Sequence, residues 1–301
     1  MMTVPVGVGP AQANGDLRRR SNLRSGLVRL LGNKFNVIGG VLLLALIVVA
    51  LFSSLIAPYN PNKVDLTASL KPPSARHWFG TDKLGRDILS RIIAGTSVSL
   101  LVSFGAVSIA FLLGTILGLV AGYVGGRIGG AVMRVMDALW SLPSLILALA
   151  IATVLGAGVK NVIIAVGLTF IPAFARIVYA EVISVKEELY VRAAKAIGVS
   201  DAGIIFSEIL PNCMMSIIVY ASMMAGEAVI AEASLSFLGI GINPPQPAWG
   251  SMLRSEYKYF TTAPWGSLFP GLAIFLLVLA FNFLGDGLRD ALDVKLLDKD
   301  V

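Results

Sequence analysis

Apolar and charged residues fall in long separate blocks along this chain rather than alternating residue by residue. Residues 1–34 are polar and basic, with Arg18, Arg19, Arg20, Arg24, Arg29 and Lys34 set against one acid, Asp16. The run 35–62 carries no charge and has its apolar centre at 37–57. About 20 helical residues cross the ~30 Å hydrocarbon layer of a bilayer, so this run predicts a first membrane-spanning helix. A cleaved signal peptide would have a shorter apolar stretch closer to the N-terminus, and a retained anchor is expected. Residues 58–91 are polar and rich in Pro, Lys, Arg and Asp. Uncharged runs then predict a second span in 92–126 and a third in 138–159. A fourth covers 161–175 and 177–180, interrupted by Arg176. After polar residues 181–208, a fifth span starts at 209 and continues past Glu227 to about 231. A Gly/Pro-rich stretch, 239–250, precedes the sixth span in 262–285. The pattern predicts an all-α polytopic membrane protein. It divides into a basic cytoplasmic tail (1–34), a first helix with an outer segment (35–91), a core of five spans (92–293) and a short cytoplasmic tail (294–301).

Composition excludes a water-soluble core. The chain is 56% hydrophobic and 14% charged, against about a quarter charged for a soluble domain, and its mean hydropathy is +0.82. The net charge of +6 does not signal a nucleic-acid binder, because Lys and Arg flank the apolar segments instead of gathering on one face. Counting them by loop gives 15 of the 24 on the side of the N-terminus, which orients both termini inward. The single cysteine, Cys213, sits in an apolar run and has no partner for an intrachain disulfide.

Gly114, Gly118, Gly122, Gly126 and Gly130 recur every four residues. On a helix they form one ridge, which predicts a close helix–helix seam of the kind that replaces hydrophobic drive in lipid. Pro143, Pro172 and Pro270 fall in other spans, where a kink is expected. Arg134 and Asp137, three apart, are spaced for an ion pair along one helix.

The polar stretch 187–212 predicts two helices at the inner membrane face. Residues 188–197 hold good helix formers, Gly198 breaks the run, and Ser200 is placed to cap a second helix, with Pro211 leading into the fifth span. Ala193 and Ala194 predict a small, shallow surface for another protein. The spacing from Ala193-Ala194 through Gly198 to Ile209-Leu210-Pro211 resembles the "EAA" loop of ABC importer permeases. Arg192 stands where that family has a leading Glu, and Glu208 where it often has an apolar residue. The resemblance implies that Arg192, Ala193, Ala194, Gly198, Ser200, Asp201, Leu210 and Pro211 belong to a coupling element that docks on an ATPase subunit.

A second string lies after the first span: His77-Trp78-Phe79-Gly80-Thr81-Asp82-Lys83-Leu84-Gly85-Arg86-Asp87, running on to Arg91. Read alone, Gly80 and Gly85 allow tight turns, and Asp82, Arg86 and Asp87 make exposed local ion pairs worth about 0–1 kcal/mol each. His77, the only histidine, has no ligand companions for a metal and is expected to be structural. The string is similar to one in the dipeptide/oligopeptide/nickel class of those permeases, where it marks the C-type subunit. Glu232 to Gly239, Pro244-Pro245 to Trp249-Gly250, and Asn282 to Asp290 are similar to the same class. The resemblance covers roughly residues 36–293, and residues 1–30 carry none of it. It implies a type I importer fold in a prokaryotic plasma membrane. The expected partners are a second homologous permease, two ATP-binding subunits that hold ATP and Mg, and an extracytoplasmic solute-binding protein.

Glu227 and Glu232 are acids near the outer end of the fifth span. A carboxylate facing lipid is costly, so each is expected to face protein or water, either lining the pathway or capping local structure in the headgroup zone. Their five-residue offset separates them by about 140°. With Phe237, Pro244, Pro245 and Trp249 they make a candidate pathway or outer gate. No G-x-x-x-x-G-K-[ST] occurs, nor H-E-x-x-H or G-x-S-x-G, so the chain itself is read as a transport subunit and not as an enzyme. The competing class is a self-contained secondary transporter, which calls for internal repeats and a midplane ionisable site. The chain shows no clear repeat.

Overall fold

A computed structural model of the protein describes residues 33–292. The basic segment before residue 33 and the charged tail after 292, both predicted to be cytoplasmic, lie outside the described residues. The order is α1 (Lys34–Leu51), α2 (Ile88–Val124), α3 (Gly126–Trp140), α4 (Ser144–Leu155), α5 (Val159–Lys186), α6 (Leu189–Ala196), α7 (Asp201–Leu238), α8 (Trp249–Glu256) and α9 (Trp265–Leu292). The described residues contain no named strand; Thr81 and Asp87 make one isolated antiparallel bridge.

Helices α1, α2, α5, α7 and α9 are each long and apolar enough to cross a membrane. The remaining apolar stretch is a bent pair, which makes a sixth span when the two helices are counted as one. α3 and α4 meet at 91°, where Pro143 has no backbone donor and disfavours helix at the residue before it. The uncharged run at 138–159 therefore starts in the last turn of α3 and ends on the first residue of α5, and the region expected to be the third span is an elbow rather than a single rod. Arg176 does not interrupt the fourth span, since α5 is unbroken over 28 residues and passes through Pro172.

α2 and α5 form the central seam. A side chain at Gly118 would lie 2.6 Å from the Ala175 carbonyl oxygen and 2.6 Å from Val178 Cβ; one at Gly122 would lie 2.7 Å from Val182 Cγ1. A side chain at Gly114 would overlap Phe174 Cβ. The absent side chains let the two backbones touch. The ridge stops there. α2 ends at Gly125, which has φ +62, and side chains at Gly126 and Gly130 would meet nothing within 4 Å. Small residues recur at the neighbouring contacts: Gly39 of α1 lies against Phe283 of α9, and Gly285 of α9 lies 2.8 Å (measured from a Cβ) from Met223 of α7.

The fifth span begins earlier than its apolar run. After α6 the chain turns at Gly198 in the left-handed region, φ +84. Ser200 then caps α7 by accepting from the Gly203 N–H at 3.2 Å. Pro211 does not mark a separate entry to the membrane. Residues Ile204–Ile209 are wound as π-helix, and the helix continues unbroken to Leu238. The wider turn displaces the carbonyl that a proline ring would strike in a regular helix.

Candidate functional site

The predicted residues lie in three places. The first is the end of the bundle where α2 finishes, about 55 Å along that helix from its start. Here α6 lies across the end of α5 and α7. Val191 is buried and Ala194 packs on the core, which leaves the opposite face outward. That face carries Leu189, Ala193 and Ile197 at four-residue spacing, with Leu189 80% and Ile197 82% exposed. The outward apolar ridge thus runs through Ala193 and not through Ala194, correcting the expectation that both alanines face away. Arg192 is exposed and lines a small cleft with Lys186 and Lys195. Asp201 accepts from the Tyr123 hydroxyl at 2.5 Å, and Lys186 Nζ donates to the Tyr123 carbonyl at 2.6 Å. Tyr123 therefore ties the hairpin to the end of α2. Sequence reasoning missed it, because nothing local marks a contact 78 residues away. Leu210 is half-buried and Pro211 is exposed.

The second place is the opposite end. Asp87 caps α2, accepting from the Ser90 N–H at 2.8 Å and its hydroxyl at 2.6 Å, while its other oxygen meets His77 Nδ1 at 2.9 Å. Asp82 accepts from the N–H groups of Leu84 and Arg86, both at 2.9 Å, and from Arg86 Nε at 2.6 Å. Gly80 and Gly85 supply positive φ, +74 and +70. The Thr81 hydroxyl donates to the Ala68 carbonyl. Trp265 Nε1 donates to the Thr81 carbonyl at 3.3 Å. The ion pairs expected to be exposed are buried: the side chains of Arg86 and Asp82 are 6% and 4% exposed. Trp265, distant in sequence, packs beside the same turn at Gly80 and Thr81.

Beneath this cluster Glu256 is 2% exposed. Its Oε1 accepts from Ser255 at 3.1 Å, but Oε2 has no hydrogen-bond partner among the described residues. Burial, reinforced by nearby Asp82, pushes the Glu256 carboxyl above its ordinary value of 4.5, against the opposing influence of Ser255 and Lys83. A raised acid is penalised in the fold only when ionised, so that stability falls as pH rises from the ordinary value towards the raised one. Glu256→Gln is expected to raise the unfolding temperature of the detergent-purified protein at neutral pH, with little change below pH 4.5. A thermal-melt series over pH checks this.

The third place is the middle of the bundle. Glu232 and Glu227 part company there. Glu232 is fully buried, accepting from Ser236 at 2.8 Å and from Ser99 at 3.4 Å. Ser236 Oγ in turn accepts from the Ile242 N–H at 3.0 Å. Glu232 therefore ties α7 to α2 and, through Ser236, to the 239–250 loop. Trp249 is also fully buried, donating to the Ile92 carbonyl at 3.1 Å. Pro244 and Pro245 are exposed, and Phe237 is 41% exposed near Tyr257. These residues do not form one gate with Glu227. Glu227 faces a cavity of about 390 Å³ between the α3/α4 elbow, α5 and α7. Beside the cavity Asp137 pairs with Arg176 of α5, whose guanidinium carbon sits 5.3 Å from the centre of the Trp140 ring. Asp137 thus makes its ion pair across to α5 and not with Arg134 along α3.

Comparison with known proteins places these features in a family. The family model described as "Binding-protein-dependent transport system inner membrane component" matches residues 114–298. The model of the N-terminal transmembrane domain of oligopeptide transport permease C matches residues 21–73. That second match begins within the basic segment, ahead of the first motif that carried the resemblance. The glutathione transport system permease protein GsiD of Salmonella typhimurium is 48% identical over 261 residues, 86% of each chain. GsiD of Escherichia coli O157:H7 is 48% identical over 252 residues, 83% of each chain. A solved structure of the MetNI methionine ABC transporter in inward-facing conformations aligns with a TM-score of 0.54 and 17% identity, over 67% of this chain and 96% of that one. At that identity the likeness speaks for the fold, which is that of a type I importer permease. The chain belongs to the family of inner-membrane components of binding-protein-dependent transport systems, as a permease subunit of an ABC importer.

Proposed function

We propose that this chain forms half of an inward pathway for short peptides, glutathione foremost, and takes its power stroke through the hairpin 187–211. The observation that carries the coupling role is the outward ridge of Leu189, Ala193 and Ile197. Two large aliphatic side chains left almost bare beside a shallow alanine suit a helix seated in a groove of another protein. In this reading a second permease completes the pathway, and an external solute-binding protein delivers the cargo. ATP, with Mg, binding to two partner subunits draws them together. That motion reaches α5 and α7 through α6, and hydrolysis resets it. Coupling requires that the contact differ between the two states.

The substrate assignment is supported by the names of the relatives, glutathione transport permeases. Uptake of labelled glutathione by cells lacking this chain tests it, with unlabelled dipeptide, longer peptide and nickel chelate as competitors. Restored uptake on re-expression, competed best by glutathione, is the expected result. Restored uptake of a dipeptide with no glutathione uptake would move the assignment to ordinary peptides.

A further inference from the structure

The cavity at the α3/α4 elbow is the right size to hold a small solute, and its volume of about 390 Å³ lies within the range of small-molecule sites. Its walls are largely apolar and aromatic, with Trp140, Pro143, Tyr220 and Met224 among them. Ser144, Thr169 and Tyr220 supply its hydroxyls. Glu227 is the one charged residue in the lining. It is exposed, and no cation among the described residues pairs with it. Along the bundle the carboxylate lies beside the interior of α2 and not beside its start. Two residues before it, Ala225 accepts from Ser103 at 2.7 Å, and Ser103 lies 15 residues into α2, about 22 Å from the start of that helix. Glu227 is therefore held deep in the bundle.

An ionised group at this depth must be given water or a partner. The arrangement selects the partner's chemistry. A single carboxylate offers too few donors for a metal ion, and the described residues contain no cluster of metal-binding side chains. A primary ammonium needs only a carboxylate, a hydroxyl and aromatic faces, which attract cations through their π-electrons. We infer that Glu227 is a binding residue for the α-ammonium of a peptide in transit, and that the elbow cavity is its subsite in this chain. The inference rests on the peptide reading above and adds to it a recognition step inside the membrane, separate from whatever the solute-binding protein selects.

The test uses the whole importer in proteoliposomes with its binding protein and saturating glutathione. Glu227→Gln keeps the shape and removes the charge; Glu227→Asp keeps the charge on a shorter stem. Glutathione imported per ATP hydrolysed should fall about tenfold in E227Q, the size expected for one lost charge-assisted hydrogen bond. E227D should keep at least about a third of the wild-type ratio, and E227K should fall below E227Q. E227Q importing at the wild-type ratio overturns the inference. So does E227D failing as fully as E227Q, because position rather than charge then matters. Loss of the second permease from the purified E227Q complex also overturns it, by making Glu227 a subunit contact. A wild-type importer that moves neither glutathione nor a dipeptide overturns the peptide reading, and this inference with it.

Discussion

Cells carrying Leu189→Glu and Ile197→Glu together are expected to lose at least about 99% of uptake, since two central anchors of an interface cost roughly 2 kcal/mol or more each. The chain should still insert, because both side chains point away from its own core. The two are 80% and 82% exposed, and their loss opens no cavity. Each new carboxylate would have to be desolvated on docking, which adds to the lost apolar contact. The measurement is co-purification of ATPase subunits with the tagged chain, read beside uptake. A double variant that retains its ATPase subunits and transports normally would remove α6 from the coupling path. Val191→Glu would be uninformative here, since that side chain is 3% exposed and its change would disturb the chain's own packing.

Gly118→Leu should leave almost no folded protein. A Cβ at this position already falls 2.6 Å from a backbone oxygen of α5 and 2.6 Å from Val178 Cβ, and three more carbons would have to go with it into the seam. The struck atom is a helix carbonyl, so the neighbour cannot give way by changing rotamer. Overpacking usually costs about 1–3 kcal/mol, and a backbone collision on the principal seam of a marginally stable bundle exceeds that range. Gly130→Leu is the matched control, because nothing lies within 4 Å of its Cβ. The amount of monodisperse protein recovered in mild detergent distinguishes the two. Equal recovery would mean that α2 and α5 do not pack along this ridge.

Those two experiments bear on parts of the protein that differ in how far the sequence reveals them. The spans were legible because a bilayer imposes a length on apolar runs, and the hairpin was legible because Gly198 and Ser200 are local signals of a turn and a cap. The glycine ridge was readable as a period, and its last two members, Gly126 and Gly130, as lying past the membrane edge; the structure adds that α2 itself ends at Gly125. The elbow was hidden because Gly126–Asp137 is amphipathic and charged, and so resembles a loop next to an apolar run. Long-range pairing left no trace at all. Asp137 had a well-spaced partner three residues away in Arg134, yet it pairs with Arg176, 39 residues on. The buried Asp82–Arg86 turn is met by a residue far along the chain, Trp265 of α9, which donates to the neighbouring Thr81 carbonyl. Of the two acids in α7, their angular separation was foreseeable, but which one would be sealed in and which would meet a cavity was not.

The unbroken course of α7 has a mechanical result. From Asp201 to Leu238 it is a stiff beam of 38 residues, about 57 Å at 1.5 Å per residue. One end is pinned to Tyr123, and the other to Ser99 of α2 by way of Glu232 and to the Ile242 N–H by way of Ser236. A torque applied at the hairpin end would be carried to the far side along one continuous helix, whose loosely wound stretch at Ile204–Ile209 lies next to that end.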